Sequence, residues 1–255
     1  MRLHAVAIDN SDQETHPVIF LHGFGGMAAQ WFELQTNISH FAPTIAFDLP
    51  GHGKSLDFPN AGPPKIAAKA VLAEMTTRNL KKVHLVGHSM GGAVASLVAL
   101  FQPVNVASLT LLAPGGFGEE INHSVLKKWG AAQSRQMLAE VMPSFYSSTH
   151  LLPEQKIEMQ LQHRKKAGAV EMLTAIANDM TRNGKQGVLP LDAMLKLKIP
   201  ISLIWGDEDM ILPVIQTAGL QDKLDLHLLK GVGHTPAEEA QPIVKALIKK
   251  QLLIS

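Results

Sequence analysis

One short run constrains this chain more than any other. Gly87-His88-Ser89-Met90-Gly91-Gly92 directly follows the apolar stretch Val83–Val86 and opens a helical pattern over Ala93–Phe101. Glycines two before and two after a serine let the backbone turn sharply from strand into helix. That turn lifts the hydroxyl clear of a sheet and leaves no side chain to block it. The helix that follows aims its amide end at the same spot, where developing negative charge is stabilised. Ser89 therefore reads as a nucleophile.

An alkyl hydroxyl is a poor nucleophile at neutral pH and needs a base held by a third group. Among 12 histidines, His234 is the best placed, in Gly231-Val232-Gly233-His234-Thr235-Pro236. There a strand ends in a glycine loop and a closing helix begins, which can set an imidazole at the carboxyl edge of a sheet. The loop after the preceding strand, Gly206-Asp207-Glu208-Asp209, offers three acids; Asp209 is the first choice and Asp207 the alternative. The chain order Ser, Asp, His suits a strand–turn–helix nucleophile.

A second glycine-rich loop, His22-Gly23-Phe24-Gly25-Gly26, follows the first apolar strand. Acyl transfer places negative charge on the former carbonyl oxygen, and two preorganised amides can hold it. Met90, after the nucleophile, supplies one amide, and Phe24 the other. The dinucleotide pattern G-x-G-x-x-G and the phosphate loop G-x-x-x-x-G-K-[ST] are both missing. His84 and His88, four apart, would form a metal pair only on a helix; in strand and turn they imply no metal. His88 reads instead as a flank that shapes the serine turn. Asp48-Leu49-Pro50-Gly51-His52-Gly53-Lys54-Ser55 reads as a structural brace at a third strand end.

Short apolar runs at Pro17–His22, Thr44–Phe47, Val83–Val86, Val106–Leu112, Pro200–Trp205 and Leu224–Leu229 alternate with helical patterns at Ile66–Asn79, Gly91–Phe101 and Pro236–Leu253. This is the signature of a mostly parallel α/β sheet whose strands are covered on both faces. Thr235, Pro236 and Glu238 predict a capped start for the last helix. Residues 116–190 lack strand candidates and carry two helical patterns, near Val125–Val141 and Pro153–Met180. They are expected to form a helical cap inserted between two parts of the α/β core, residues 1–115 and 191–255.

The 23 basic and 22 acidic side chains leave no electrostatic footprint for nucleic acid. The absence of cysteine excludes disulfides, thiolate metal sites and a thiol nucleophile. No apolar run approaches the ~20 residues of a membrane span, and the start carries no secretory pattern. A soluble, cytoplasmic protein without membrane contact or cofactor is expected.

In combination, His-Gly-x-Gly-Gly, Asp-x-Pro-Gly-x-Gly-x-Ser, Gly-x-Ser-x-Gly-Gly, Gly-x-x-Asp and a late Gly-His resemble the α/β-hydrolase superfamily from Pro17 to the C-terminus. The resemblance implies Asp209 as the acid, since the family takes the aspartate of Gly-x-x-Asp. It also implies a helical cap where residues 116–190 lie. The stretch Leu112–Asn122 is similar to the hydrolase-like domain of acetoin dehydrogenase acyltransferase components, although no lipoyl segment and no His-x-x-x-Asp-Gly signature is present. Only 16 residues precede the Pro17 strand, room for a shortened edge hairpin at best.

These residues predict a serine hydrolase that cleaves a small carboxylic ester or thioester through an acyl-enzyme on Ser89. Gln30 and Trp31, with Trp129, Phe145 and Tyr146 from the cap, are the candidate substrate-binding residues around an acyl pocket. The rival readings are an acyltransferase of the same fold, a cofactor-free oxygenase or perhydrolase, and a non-catalytic ligand sensor.

Overall fold

The structure, a computed structural model, describes residues 1–12 and 15–254. Seven strands form one sheet: β1 (Ala5–Ile8), β2 (Val18–Leu21), β3 (Thr44–Phe47), β4 (Val83–His88), β5 (Val106–Leu112), β6 (Ile201–Gly206) and β7 (Asp225–Leu229). Their spatial order is β1-β3-β2-β4-β5-β6-β7. All neighbouring pairs are parallel except β1 with β3, where Ala5 faces Phe47. Among the described residues β1 pairs with β3 and not with β2, so the two strands do not form a hairpin.

Strands β2 to β6 are buried along nearly their whole length because both sides of the sheet are covered, while the edge strands β1 and β7 are only partly buried. In β2, Val18 and Phe20 join a core with Leu34 and Ile38 of α1 (Phe32–Ile38) and Val244 and Ile248 of α10 (Gln241–Ile254). Ile19 and Leu21 enter the opposite core with Val71 of α2 (Pro64–Thr77) and Val94 and Val98 of α3 (Met90–Phe101). A fully buried Leu or Val contributes roughly 1.5–3 kcal/mol, so such layers dominate the fold's stability. The chain reverses its direction of travel across the sheet between β2 and β4. The loops after both strands therefore open into one crevice at their carboxyl ends, the usual ligand position of such sheets.

Between β5 and β6 the chain forms α4 (His123–Ala131), α5 (Arg135–Val141), α6 (Glu154–Arg164), α7 (Ala169–Met180) and the short α8 (Leu191–Met194). Each of the two long helical patterns is thus broken once. Ser134 Oγ accepts from the Met137 amide at 3.2 Å and restarts the first as α5. Gly168, at φ +79°, restarts the second as α7.

The closing helix also departs from expectation. It begins as α9 (Pro236–Glu239) and breaks at Ala240 before α10. Thr235 Oγ1 donates to Glu239 at 2.9 Å, so Glu239 closes the start instead of Glu238. Glu238 is drawn away by the Tyr146 hydroxyl, 2.6 Å from its Oε2.

Candidate active site

Ser89 sits at the end of β4 with φ 53° and ψ −117°, a conformation that an L-residue adopts only when its surroundings enforce it. Enforcement comes from close backbone approach. A Cβ on Gly87 would stand 2.4 Å from the Gly91 carbonyl oxygen, and one on Gly91 would stand 2.2 Å from that of Leu21. The Ser89 amide donates to the Leu112 carbonyl at 3.0 Å, which fastens the turn to β5.

His234 is buried, and its Nδ1 lies 2.8 Å from Asp209 Oδ2. Asp209 Oδ1 accepts from the amides of Ile211 at 2.8 Å and Leu212 at 2.9 Å, which fixes the carboxylate. The two neighbouring acids face elsewhere. Asp207 accepts from the Gly231 amide at 2.7 Å, and Glu208 takes the amide and hydroxyl of Ser148.

His88 reaches the His234 carbonyl through Nε2 at 2.6 Å. A carbonyl only accepts, so that nitrogen carries a proton. Burial, reinforced by the neighbouring His234 ring, pushes the His88 pKa down to about 3. His88 is therefore a neutral strut that sets the His234 backbone. His84 faces away from it, with Nδ1 2.8 Å from Ser108 Oγ.

The loop after β2 is held with equal care. His22 Nε2 accepts from the Leu49 amide at 2.9 Å, which leaves its Nδ1–H to bond the Gly23 carbonyl at 2.8 Å. Asp48 accepts from the amides of Ala28 at 2.7 Å and Lys54 at 2.8 Å, tying the second and third loops together. Neither the Phe24 nor the Met90 amide donates to a protein acceptor among the described residues. Both remain available to a ligand.

Two chambers meet at Ser89. The first, about 90 Å³, is lined by His234 together with all five expected residues, Gln30, Trp31, Trp129, Phe145 and Tyr146. Trp31 is mainly a core residue, its ring 5.2 Å from that of Phe20. Phe145 stands between Trp129 and His234, at 5.3 and 6.1 Å between ring centres. Gln160 and Glu238 also line this chamber. The second chamber, about 330 Å³, is walled chiefly by Leu97, Ile121, Leu126, Met180, Leu189 and Leu212. Phe24, Ser89 and Leu126 line both. The second chamber escapes sequence reading because its walls come from α3, the inserted segment and the loop after β6. Gln160 carried no motif to reveal it.

Residues 18–246 match the model of the alpha/beta hydrolase family. The chain belongs to that family. Among this chain's curated relatives is the dihydrolipoyllysine-residue acetyltransferase component of an acetoin cleaving system from Cupriavidus necator. The two are 30% identical over 237 residues, 92% of this chain and 63% of that protein. The counterpart from Pseudomonas putida is 33% identical over 88% of this chain and 60% of its own length, so the chain spans less than two thirds of either. A monoacylglycerol lipase of Xenopus laevis is 26% identical, with 87% and 71% covered. The 2-hydroxy-6-oxo-6-phenylhexa-2,4-dienoate hydrolase of a Rhodococcus species has the same fold. It superposes with TM-score 0.84 at 21% identity, over 98% of this chain and 94% of that one. Among the described residues, no helix is long and apolar enough to cross a membrane.

Proposed function

We propose that this hydrolase cleaves a small carboxylic ester or thioester by way of an acyl-enzyme on Ser89. One observation carries the reading: His234, held by Asp209 at 2.8 Å, lines the same chamber as a serine forced into a strained turn. Ser89 Oγ bonds to the substrate carbonyl carbon while His234 Nε2 takes its proton. Asp209 holds the Nδ1–H tautomer and stabilises the imidazolium. The Phe24 and Met90 amides stabilise the oxyanion. His234 then passes the proton to the leaving oxygen or sulfur as its bond to carbon breaks. Water repeats the sequence to release the acid and restore Ser89.

His234 lines the first chamber and not the second. The leaving group must receive its proton there, so it occupies the chamber of Gln30, Trp31, Trp129, Phe145 and Tyr146, and the acyl chain takes the apolar second chamber. This reverses the expectation that the first chamber is the acyl pocket. Residues 116–190 act as a cap that closes both chambers over the crevice.

Turnover of short p-nitrophenyl esters, with labelling of Ser89 by a fluorophosphonate, tests the reading. Labelling with turnover supports it. Labelling without turnover favours acyl transfer or a sensor role, and a folded protein that resists labelling overturns it.

A further inference from the structure

Arg164, at the end of α6, is 5% exposed, and no carboxylate pairs with it among the described residues. Its Nη2 donates to the Trp129 carbonyl at 3.0 Å, and its guanidinium carbon lies 4.1 Å from the centre of the Trp129 ring. Its Nη1 donates to Gln160 Oε1 at 2.5 Å, while Nε has no partner. Burial pushes its pKa down to about 10, which still leaves it charged at neutral pH. A buried cation without a counter-ion is expensive to keep, and it is retained where its field or its hydrogen bonds serve another group.

That group is Gln160, 1% exposed yet part of the wall of the first chamber. A guanidinium can only donate, so Gln160 must turn Oε1 towards Arg164. The amide is thereby locked in one of its two flips, with Nε2 left over. Among the described residues nothing accepts from Nε2. Gln30, an exposed residue that also lines the chamber, likewise turns its Oε1 away to accept from the Met27 amide at 3.1 Å. Glu238, a carboxylate that also lines this space, has its Oε2 taken by the Tyr146 hydroxyl and by Lys156, whose charge offsets its own. At Gln160 the chamber therefore presents one fixed donor, backed by a buried positive charge, with no protein acceptor to match it among the described residues.

We propose that Gln160, oriented by Arg164, is a specificity-determining residue that donates to an acceptor oxygen, a carboxylate or a ketone, on the leaving group of the substrate. The inference rests on the reading of Ser89 and His234 given above. A site built around a buried donor rejects a substrate lacking the acceptor, because the donor is left dry and unpaired.

Three butyryl esters of similar size test it: those of glycolate, hydroxyacetone and propanol, bearing a carboxylate, a ketone and neither. The first two should exceed propyl butyrate in kcat/KM by about tenfold or more, the worth of one buried hydrogen bond. Gln160→Glu keeps the shape and gives Arg164 a counter-ion, so the fold has no reason to fail. It should collapse the preference for the glycolate ester at least tenfold, by removing the donor and adding a like charge. Gln160→Leu should lower both preference ratios. Equal loss on all three esters would mark a purely structural role and overturn the proposal, as would a wild-type protein that favours propyl butyrate. Calorimetric titration of Ser89→Ala with the same esters separates the two readings. Tighter binding of the acceptor-bearing esters, weakened about tenfold by Gln160→Glu, with no turnover by wild type, sinks the hydrolase reading and leaves the specificity. Turnover without preference in rate or binding sinks only the specificity.

Discussion

The indole N–H of Trp129 donates to the carbonyl of Phe24 at 3.1 Å, so a helix of the inserted segment holds the loop that carries one of the two free amides beside Ser89. The approach is close enough that a Cβ on Gly25 would stand 2.2 Å from the indole nitrogen, and Gly25 sits at φ +72°. Trp129→Phe keeps the ring and removes the donor. It should cost about 1–2 kcal/mol of stability and lower kcat/KM for ester hydrolysis by roughly tenfold through a less ordered Phe24 amide. Urea unfolding and steady-state kinetics on one preparation check both.

Ser89 and His234 are proposed to work as one unit. Ser89→Ala and His234→Ala should each lower kcat by several orders of magnitude, and the double variant should lose little more. Additive losses in the three-variant comparison would show independent roles.

The three acids after β6 should separate cleanly. Asp209 holds the His234 tautomer through a 2.8 Å contact, so Asp209→Asn should cut kcat by about 10³–10⁴. Asp207 caps the Gly231 amide at the surface, so Asp207→Asn should stay within a few-fold of wild type. A large loss at Asp207 alone would reassign the acid.

Acid should unfold this protein early. Burial holds the pKa of His84 near 4 and that of His163 near 4, and His88 lies near 3, against 6.5 for an exposed imidazole. Below pH 6.5 the unfolded chain binds protons at these positions while the folded chain does not. Stability is therefore complete above pH 6.5 and drains as pH falls towards 4, by up to about 1.4 kcal/mol per pH unit for each histidine. Urea midpoints measured from pH 7.5 to 4.5 should fall steeply, and His84→Gln should flatten the slope.

Glu239 gathers the Ser147 and Gly233 amides with the Thr235 amide and hydroxyl. Burial opposes its charge, but these donors outweigh it and hold the carboxyl below its usual range. They also bind the His234 loop to the inserted segment. Glu239→Gln should lower stability by about 1–2 kcal/mol and reduce kcat more than it changes KM, readable by thermal melts and kinetics.

The six expected strands all form; in β2 to β6 a sheet buried on both faces leaves runs dominated by apolar residues, while β7, at the edge, is only partly buried. The serine turn was legible for a related reason. Gly87 and Gly91 approach other backbone atoms too closely for any side chain, so their spacing records the geometry directly. The last helix starts at Thr235 and Pro236 as expected, but Glu239 replaces Glu238 in closing it, since both acids fit near a cap and only the Tyr146 hydroxyl, 92 residues away, claims one of them.

What the linear order of residues determined, then, is the set of features written locally: the strands, the serine turn, the glycine loops and the alternation that makes the sheet. Tertiary structure alone decided how β1 seats itself and that two chambers flank Ser89. It also decided that Arg164 lies buried without a carboxylate and turns Gln160 towards the first chamber. Those outcomes depend on contacts between segments dozens of residues apart, where burial and hydrogen-bond geometry choose among side chains that local patterns leave equivalent.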